Sequence, residues 1–349
     1  MGIEKISVDR FIALAQQHPV VDVRSEGEFL HAHIPGASNL ALFDNEERKV
    51  VGTLYKQRSR EEAIKKGLEF FGPKMRSMVE VAEKLIAQDK SGSKIILVHC
   101  WRGGMRSAGV AWLFDLYGFK VFTLVGGYKA FRNWVLGIFN QQPRLNILGG
   151  YTGSGKTVVL EELSRRKEPV VDLESLAGHR GSAFGNIGLP KQPSQELFEN
   201  RLAVALTQTQ QEHGEKPIWI EDESQRIGTV NVPQSFWLYM RTQPIYFLDI
   251  PFENRVDHLV NTYGILDTAE LAEATKRIQK RLGGLETKTA LEHLEKGDIR
   301  NCFQILLRYY DKHYGKALMN RSEPKPPITN VVADRVDSVY ATNELLKTT

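Results

Sequence analysis

Two stretches of this chain carry residues whose types and spacing suit the handling of tetrahedral anions. The first is His99-Cys100-Trp101-Arg102-Gly103-Gly104-Met105-Arg106-Ser107. It sets a thiol before two glycines and two arginines, so backbone N–H groups and the start of a helix near Ser107 can surround an anion and stabilise a thiolate. Arg102 and Arg106 add guanidinium groups suited to two-point contact with phosphate-like oxygens. The second stretch, Gly149-Gly150-Tyr151-Thr152-Gly153-Ser154-Gly155-Lys156-Thr157, follows the apolar run Leu145-Asn146-Ile147-Leu148. Gly150, Gly155, Lys156 and Thr157 stand at the spacing of a phosphate loop, with Gly153 and Ser154 between them. Diphosphate or nucleotide phosphates are its expected ligands, and Thr157 is a candidate Mg²⁺ ligand.

Other residues could serve these cradles. Glu221-Asp222-Glu223 closes an expected strand and could hold the water shell of a metal at Thr157. His179, Arg180 and Ser182 lie shortly after another strand, where polar contacts to phosphate or RNA are expected. Arg300, Arg308, Lys312 and Lys316 recur at multiples of four along one helical stretch, with Tyr309, Tyr310 and Tyr314 nearby. Such a stripe could track an RNA backbone or be an ordinary solvated face. Lys276, Arg277, Lys280 and Arg281 form another basic cluster, and the span from Arg48 to Lys66 is rich in Lys and Arg. Cys302 sits in an apolar helical run and reads as core.

The elements that must position these groups are those of an α/β protein. Val20–Arg24, Lys94–His99 and Val121–Val125 read as short buried strands alternating with helical sequence, which predicts a parallel sheet. The polar, proline-ended joint Asn140-Gln141-Gln142-Pro143 separates a first domain, 1–138, from a second, 139–349. The second restarts the pattern with strands over Leu145–Leu148, Pro169–Leu173, Pro217–Glu221 and Pro244–Asp249. It then turns helical from Phe252 to Leu318, before a proline break at 324–327. No element is assigned after that break.

Composition bounds the function classes. The 349 residues are 42% apolar and 25% charged, ordinary for a globular protein, and no run is long and apolar enough to span a membrane. Two cysteines exclude a disulfide framework, and the first residues lack a signal-peptide core, so a reducing cytoplasm is the expected location. A net charge of +4, from 46 basic and 42 acidic residues, permits a nucleic-acid partner without demanding one.

Asp22-Val23-Arg24-Ser25, Glu28, His33-Ile34-Pro35-Gly36-Ala37, the Cys100 loop and Gly126-Gly127-Tyr128-Lys129-Ala130-Phe131-Arg132 together resemble a rhodanese domain. Arg106 lies one position further out than in the common rhodanese loop. His-Cys-x5-Arg-Ser is also the signature of cysteine phosphatases, so phosphate-ester hydrolysis competes on this motif alone. The whole order, a rhodanese-like domain followed by a P-loop NTPase-like parallel-sheet domain with a helical tail, resembles the tRNA 2-selenouridine synthase family. Leu176 to Ser182 and Ile220 to Gly228 add to that likeness.

The resemblance implies a transferase that replaces the sulfur of a 5-substituted 2-thiouridine at the tRNA wobble position by selenium. It also implies selenophosphate and geranyl diphosphate as co-substrates, with S-geranyl-2-thiouridine as the intermediate. Diphosphate is then expected on the loop around Lys156. Selenophosphate is expected on the loop around Cys100, which either takes up selenium as a perselenide or opens the Se–P bond. No tightly bound cofactor is expected, Mg²⁺ aside. The partner that the resemblance implies is the anticodon arm of tRNA, and the enzyme that supplies selenophosphate is a candidate second partner. The competing reading is a nucleotide-dependent kinase or ATPase fused to a sulfurtransferase or cysteine-phosphatase-like domain, and a non-catalytic RNA-binding regulator is a further one.

Overall fold

Val, Ile and Leu runs too short for helices and bounded by polar loops pair in this protein as two parallel sheets. A computed structural model describes residues 2–88, 92–181, 184–185, 187–321 and 325–348. The chain divides into two compact units. One comprises Met1–Ile138 with Glu199–Val204, the other Phe139–Phe198 with Ala205–Thr349.

In the first unit, β1 (Ile3–Ile6), β2 (Val20–Asp22), β3 (Ser38–Asn39), β4 (Ile95–His99) and β5 (Lys120–Leu124) form a sheet in the order β1-β5-β4-β2-β3. All its pairings are parallel, and Asp22 of β2 stands opposite His99 of β4. The central position of β4 brings its carboxyl end, and hence Cys100, between the loops that follow β2 and β5. Ile96, Val98, Val110, Phe114 and Val121 are buried in the core against the sheet. The basic span from Arg48 to Lys66 folds as two helices, Asn45–Gln57 and Arg60–Phe71, capped by Asp44 and Ser59. Phe71 closes on Gly109 of the helix Met105–Tyr117. The sequence reading assigns no strand to β1 or β3. Both are sheet edges, one alternating weakly and the other two residues long, so local pattern carries little signal.

In the second unit, β6 (Leu145–Gly150), β7 (Val170–Val171), β8 (Ile218–Glu221), β11 (Ile245–Asp249) and β12 (Ile328–Val332) form a parallel sheet in the order β12-β11-β6-β8-β7. A two-stranded antiparallel ribbon, β9 (Arg226–Ile227) and β10 (Val230–Asn231), stands outside it. From β6 the chain runs to β7 and β8 on one side and then crosses to β11 on the other. The crevice at the carboxyl end of β6 is therefore a topological switch point, where open α/β sheets bind ligands. β12 is an addition to the sequence reading, since its pairing with β11 joins residues about eighty positions apart. Helices between Phe252 and Met319 build a separate core around Val256, Leu271, Phe303 and Leu306. Cys302 is buried within it, and burial pushes its thiol up to about 12.

Candidate functional site

In the first unit, β4 delivers Cys100 at its carboxyl end, where the thiol is 3% exposed. Ser107, on the first turn of the following helix, brings its hydroxyl to 3.2 Å from the sulfur, and the Gly104 carbonyl at 3.1 Å is the alternative acceptor for the same proton when the thiol is not ionised. Burial alone would push the Cys100 thiol up. Hydrogen bonds from the Ser107 side chain and from the backbone N–H groups of Ser107 and Arg102, with the charge of Arg106, outweigh it and hold the thiol below its ordinary value. The loop is closed from behind by main-chain contacts: Tyr128 N donates to Cys100 O at 2.8 Å and Lys129 N to Trp101 O at 3.0 Å. Gly127 must be glycine for this approach, because a Cβ there would lie 2.4 Å from Cys100 O and 2.5 Å from Gly103 N.

The buried floor of this site consists of the residues after β2. Arg24, 1% exposed, clasps the Asp22 carboxylate, with Nη2 at 2.6 Å from Oδ2, donates to Ala32 O, and lies 3.8 Å over the Tyr128 ring. Removing either partner would leave a buried charge uncompensated, at a cost of about 3–5 kcal/mol. His99 packs beside them, and burial favours its neutral form. Arg106 places Nη1 at 3.0 Å from Glu28, which also receives Arg48 at 2.9 Å. Arg106 is therefore partly engaged by a carboxylate at the edge of the loop. Trp101, Arg102, Gly104 and Met105 are exposed around it, with Gly103 half-buried.

In the second unit, β6 ends at Gly150 and the helix Lys156–Arg165 begins where the loop ends. Lys156 Nζ donates to Gly150 O at 2.9 Å, which folds the lysine back over its own loop. Gly153 and Gly155 have positive φ, and Ser154 is buried with its hydroxyl unpartnered. Thr157 Oγ1 donates to Glu174 at 3.2 Å. Asp172, Glu174, Glu221 and Glu223 gather on that side. Burial leads in pushing all four up, and neighbouring carboxylates add to it in each case, Glu223 reaching about 8. Gly181, at φ 66°, fits against them where a Cβ would meet Glu174 at 2.4 Å and Glu223 at 2.9 Å.

Asp222 departs from the expected acidic cluster. Successive residues at the strand end face opposite sides, so Asp222 turns away from Glu221 and Glu223 and binds Tyr314 Oη at 2.6 Å and the Arg321 guanidinium. Tyr314 in turn accepts from Gly150 N at 3.2 Å, and its ring lies 5.8 Å from Lys156 Nζ. Arg255, 3% exposed, donates to Thr152 O at 3.1 Å and holds Asp311 through both terminal nitrogens. The sequence reading assigns no role here to Glu174, Arg255, Tyr314 or Arg321. Glu174 stands 17 residues beyond Thr157, and Arg255 and Tyr314 stand 103 and 164 residues beyond their loop partners, so spacing could not reveal them; Tyr314 reads in the sequence only as an aromatic near the basic stripe.

Thr157 and the carboxylates are hard oxygen donors of the kind Mg²⁺ prefers, and Glu221 keeps one buried carboxylate oxygen unpartnered. Among the described residues no three His, Cys, Asp or Glu side chains converge to hold a metal alone. This fits an ion that shares Thr157 and one or two carboxylates with the phosphates of its ligand. His179 is buried, with Gly185 and Gly228 closing on its ring, which does not suit the surface contact expected for it. Arg180 is exposed, and Ser182 lies outside the described residues. Arg308 and Lys312 are exposed on the helix Ile299–Met319, with Arg308 beside the Phe252 ring, while Arg300 is paired with Glu253 and Asp257. Among the described residues no helix is long and apolar enough to cross a membrane.

Residues 7–133 match the rhodanese-like domain family, and residues 143–341 match the family described as the tRNA 2-selenouridine synthase AAA domain. The chain is 36% identical over 304 residues to the tRNA 2-selenouridine synthase of Nitrosomonas europaea, covering 85% of this chain and 76% of that protein. It is 35% identical over 332 residues to the protein of that name in Bdellovibrio bacteriovorus, covering 86% of each. For the one in Shewanella denitrificans the identity is 34% over 342 residues, covering 88% of this chain and 90% of that protein.

Proposed function

The chain belongs to the tRNA 2-selenouridine synthase family, and from that premise we propose that it exchanges sulfur for selenium in wobble-position 5-substituted 2-thiouridine in two steps, one at each anion cradle. The observation that carries the reading is the pairing itself, a thiol-bearing cradle and a thiol-free phosphate loop, each at the carboxyl end of its own parallel sheet. In the first step the thiouridine sulfur attacks C1 of geranyl diphosphate, the C–O bond breaks, and diphosphate leaves. Lys156, the loop N–H groups and the helix N-terminus oppose the charge that develops on it. Mg²⁺, held through Thr157 with Glu174 or Glu223, would supply further positive charge there. Nucleotide hydrolysis has no part in this reading.

In the second step selenium adds to C2 of the base and the geranyl thiolate leaves, being a better leaving group than the unalkylated sulfur. Selenium in selenophosphate is already fully reduced. Taking it up on Cys100 as a perselenide would require an oxidant or leave phosphorus reduced. Attack of the Cys100 thiolate on phosphorus balances without either: the S–P bond forms, the Se–P bond breaks, selenide is released, and water later removes the phosphoryl group. The lowered thiol and the arginine-rimmed loop support this role. Delivery of selenophosphate by the enzyme that makes it, in the cytoplasm where tRNA is modified, completes the reading.

The test is mass spectrometry of nucleosides from 2-thiouridine-containing tRNA incubated with the protein, omitting each donor in turn. S-geranyl-2-thiouridine with geranyl diphosphate alone, and 2-selenouridine only with both donors, are expected. Unmodified nucleosides in every arm, together with ATP turnover that requires Lys156, would overturn the reading in favour of a nucleotide-dependent enzyme.

A further inference from the structure

Trp101 has no part in holding an anion through its side chain, yet its indole is 38% exposed immediately beside a thiol that is 3% exposed. Exposing a large aromatic at the mouth of a polar loop gains nothing for the fold. The indole is nevertheless held in place. Its main-chain carbonyl accepts from Lys129 N at 3.0 Å, and its ring meets that of Tyr128 at 5.7 Å. Tyr128 is itself fully buried beneath the Arg24 guanidinium and packed on Phe131 at 5.9 Å. The result is a fixed aromatic surface with a solvent-facing side, next to the nucleophile.

The surroundings favour a nucleic-acid occupant over a protein. Arg102 is exposed on the same loop, and Arg60, exposed at the start of its helix, reaches across to Met105 with Nη2 at 4.0 Å from the sulfur. A base stacked within an RNA loop cannot bring its C2 atom to selenide released beside a buried thiol. It must leave its stack, and the unstacked base regains the lost energy on an aromatic face. Resting on the functional reading above, we propose that Trp101 is the stacking platform for the extruded wobble base at the Cys100 loop. Arg102 and Arg60 then take the flanking phosphates. Trp101 is thus a positioning residue for the RNA substrate.

The test needs no chemistry. Binding of an anticodon stem-loop carrying 2-thiouridine at the wobble position is compared with the same stem-loop abasic at that nucleotide, for the wild-type chain, Trp101→Ala and Trp101→Phe. In the wild type, loss of the base should weaken binding about tenfold, the size of one base–aromatic stack. Trp101→Ala should bind both RNAs equally and at the weaker level, whereas Trp101→Phe should keep most of the dependence on the base. Full base dependence in Trp101→Ala would overturn the stacking role while leaving the functional reading intact. Should Trp101→Ala misfold, loss of all base dependence in a folded Trp101→Tyr variant would count against stacking. A wild-type chain that binds neither RNA would sink the stacking role and the functional reading together.

Discussion

At Cys100 burial and hydrogen bonding oppose each other. A thiol this buried resists ionisation, but the Ser107 hydroxyl, inward-facing N–H groups and Arg106 favour the thiolate and prevail. Because the shift is downward, the reactive form persists to lower pH than in an ordinary cysteine. The pH profile of Cys100 alkylation should therefore have its midpoint below that of a free thiol. Ser107→Ala removes one charge-assisted hydrogen bond, worth about 1.5–3 kcal/mol, and should raise the midpoint. An unchanged midpoint in that variant would transfer the activation to the backbone and Arg106. Glu28 tempers the same balance from outside. By engaging Arg106 and Arg48 it keeps the rim from carrying three uncompensated guanidinium groups.

The helix Ile299–Met319 acts on the phosphate loop as an element, through Tyr314. Its phenol takes the Gly150 N–H and gives its own proton to Asp222, which Arg321 holds from the other side. Burial and the neighbouring Asp222 charge push the Tyr314 phenol up, so it keeps the proton it offers Asp222 at neutral pH. Tyr314→Phe leaves Gly150 N–H and Asp222 each short of a partner, at about 1–3 kcal/mol. Affinity for pyrophosphate, measured by calorimetry, should fall several-fold, while Cys100 alkylation stays as in the wild type. Undiminished affinity would mean that the loop holds its shape without the helix. Arg255, paired with Asp311 of the same helix, also supports the loop through Thr152, so the phosphate loop depends on two elements that follow it by about a hundred residues or more.

For the molecule as a whole, each unit has its own sheet and its own core, and each cradle is built from residues of one unit. Lesions in the two sites should therefore be separable. Cys100→Ser is expected to stop at S-geranyl-2-thiouridine, and Lys156→Ala to form little of it while still converting pre-geranylated tRNA. Mixing the two variants with tRNA and both donors should restore 2-selenouridine, read by nucleoside mass spectrometry. Failure of the mixture, with both variants folded, would mean that the intermediate does not pass between molecules.

Both cradles are legible in the sequence because each is local: glycine spacing, an arginine or lysine, and a preceding apolar run are contiguous, and short-range sterics dictate the turn that they form. The alternation of strands and helices is legible for the same reason, wherever a strand is buried on both faces. The tertiary structure alone decided the rest. The edge strands β1 and β12 depend on partners far along the chain, and their own pattern is weak. Glu221-Asp222-Glu223 reads as one acidic cluster in the sequence, but alternation at the strand end sends Asp222 to Tyr314 and Arg321, while Glu221 meets the Glu174 backbone. His179 reads as a contact residue and is buried, because two glycines allow the chain to close on its ring. Arg24 and Tyr128 acquire their roles at Cys100 only through parallel pairing of β2, β4 and β5. That pairing brings three separate loops to one end of the sheet, and long-range burial rather than local preference sets which loops meet.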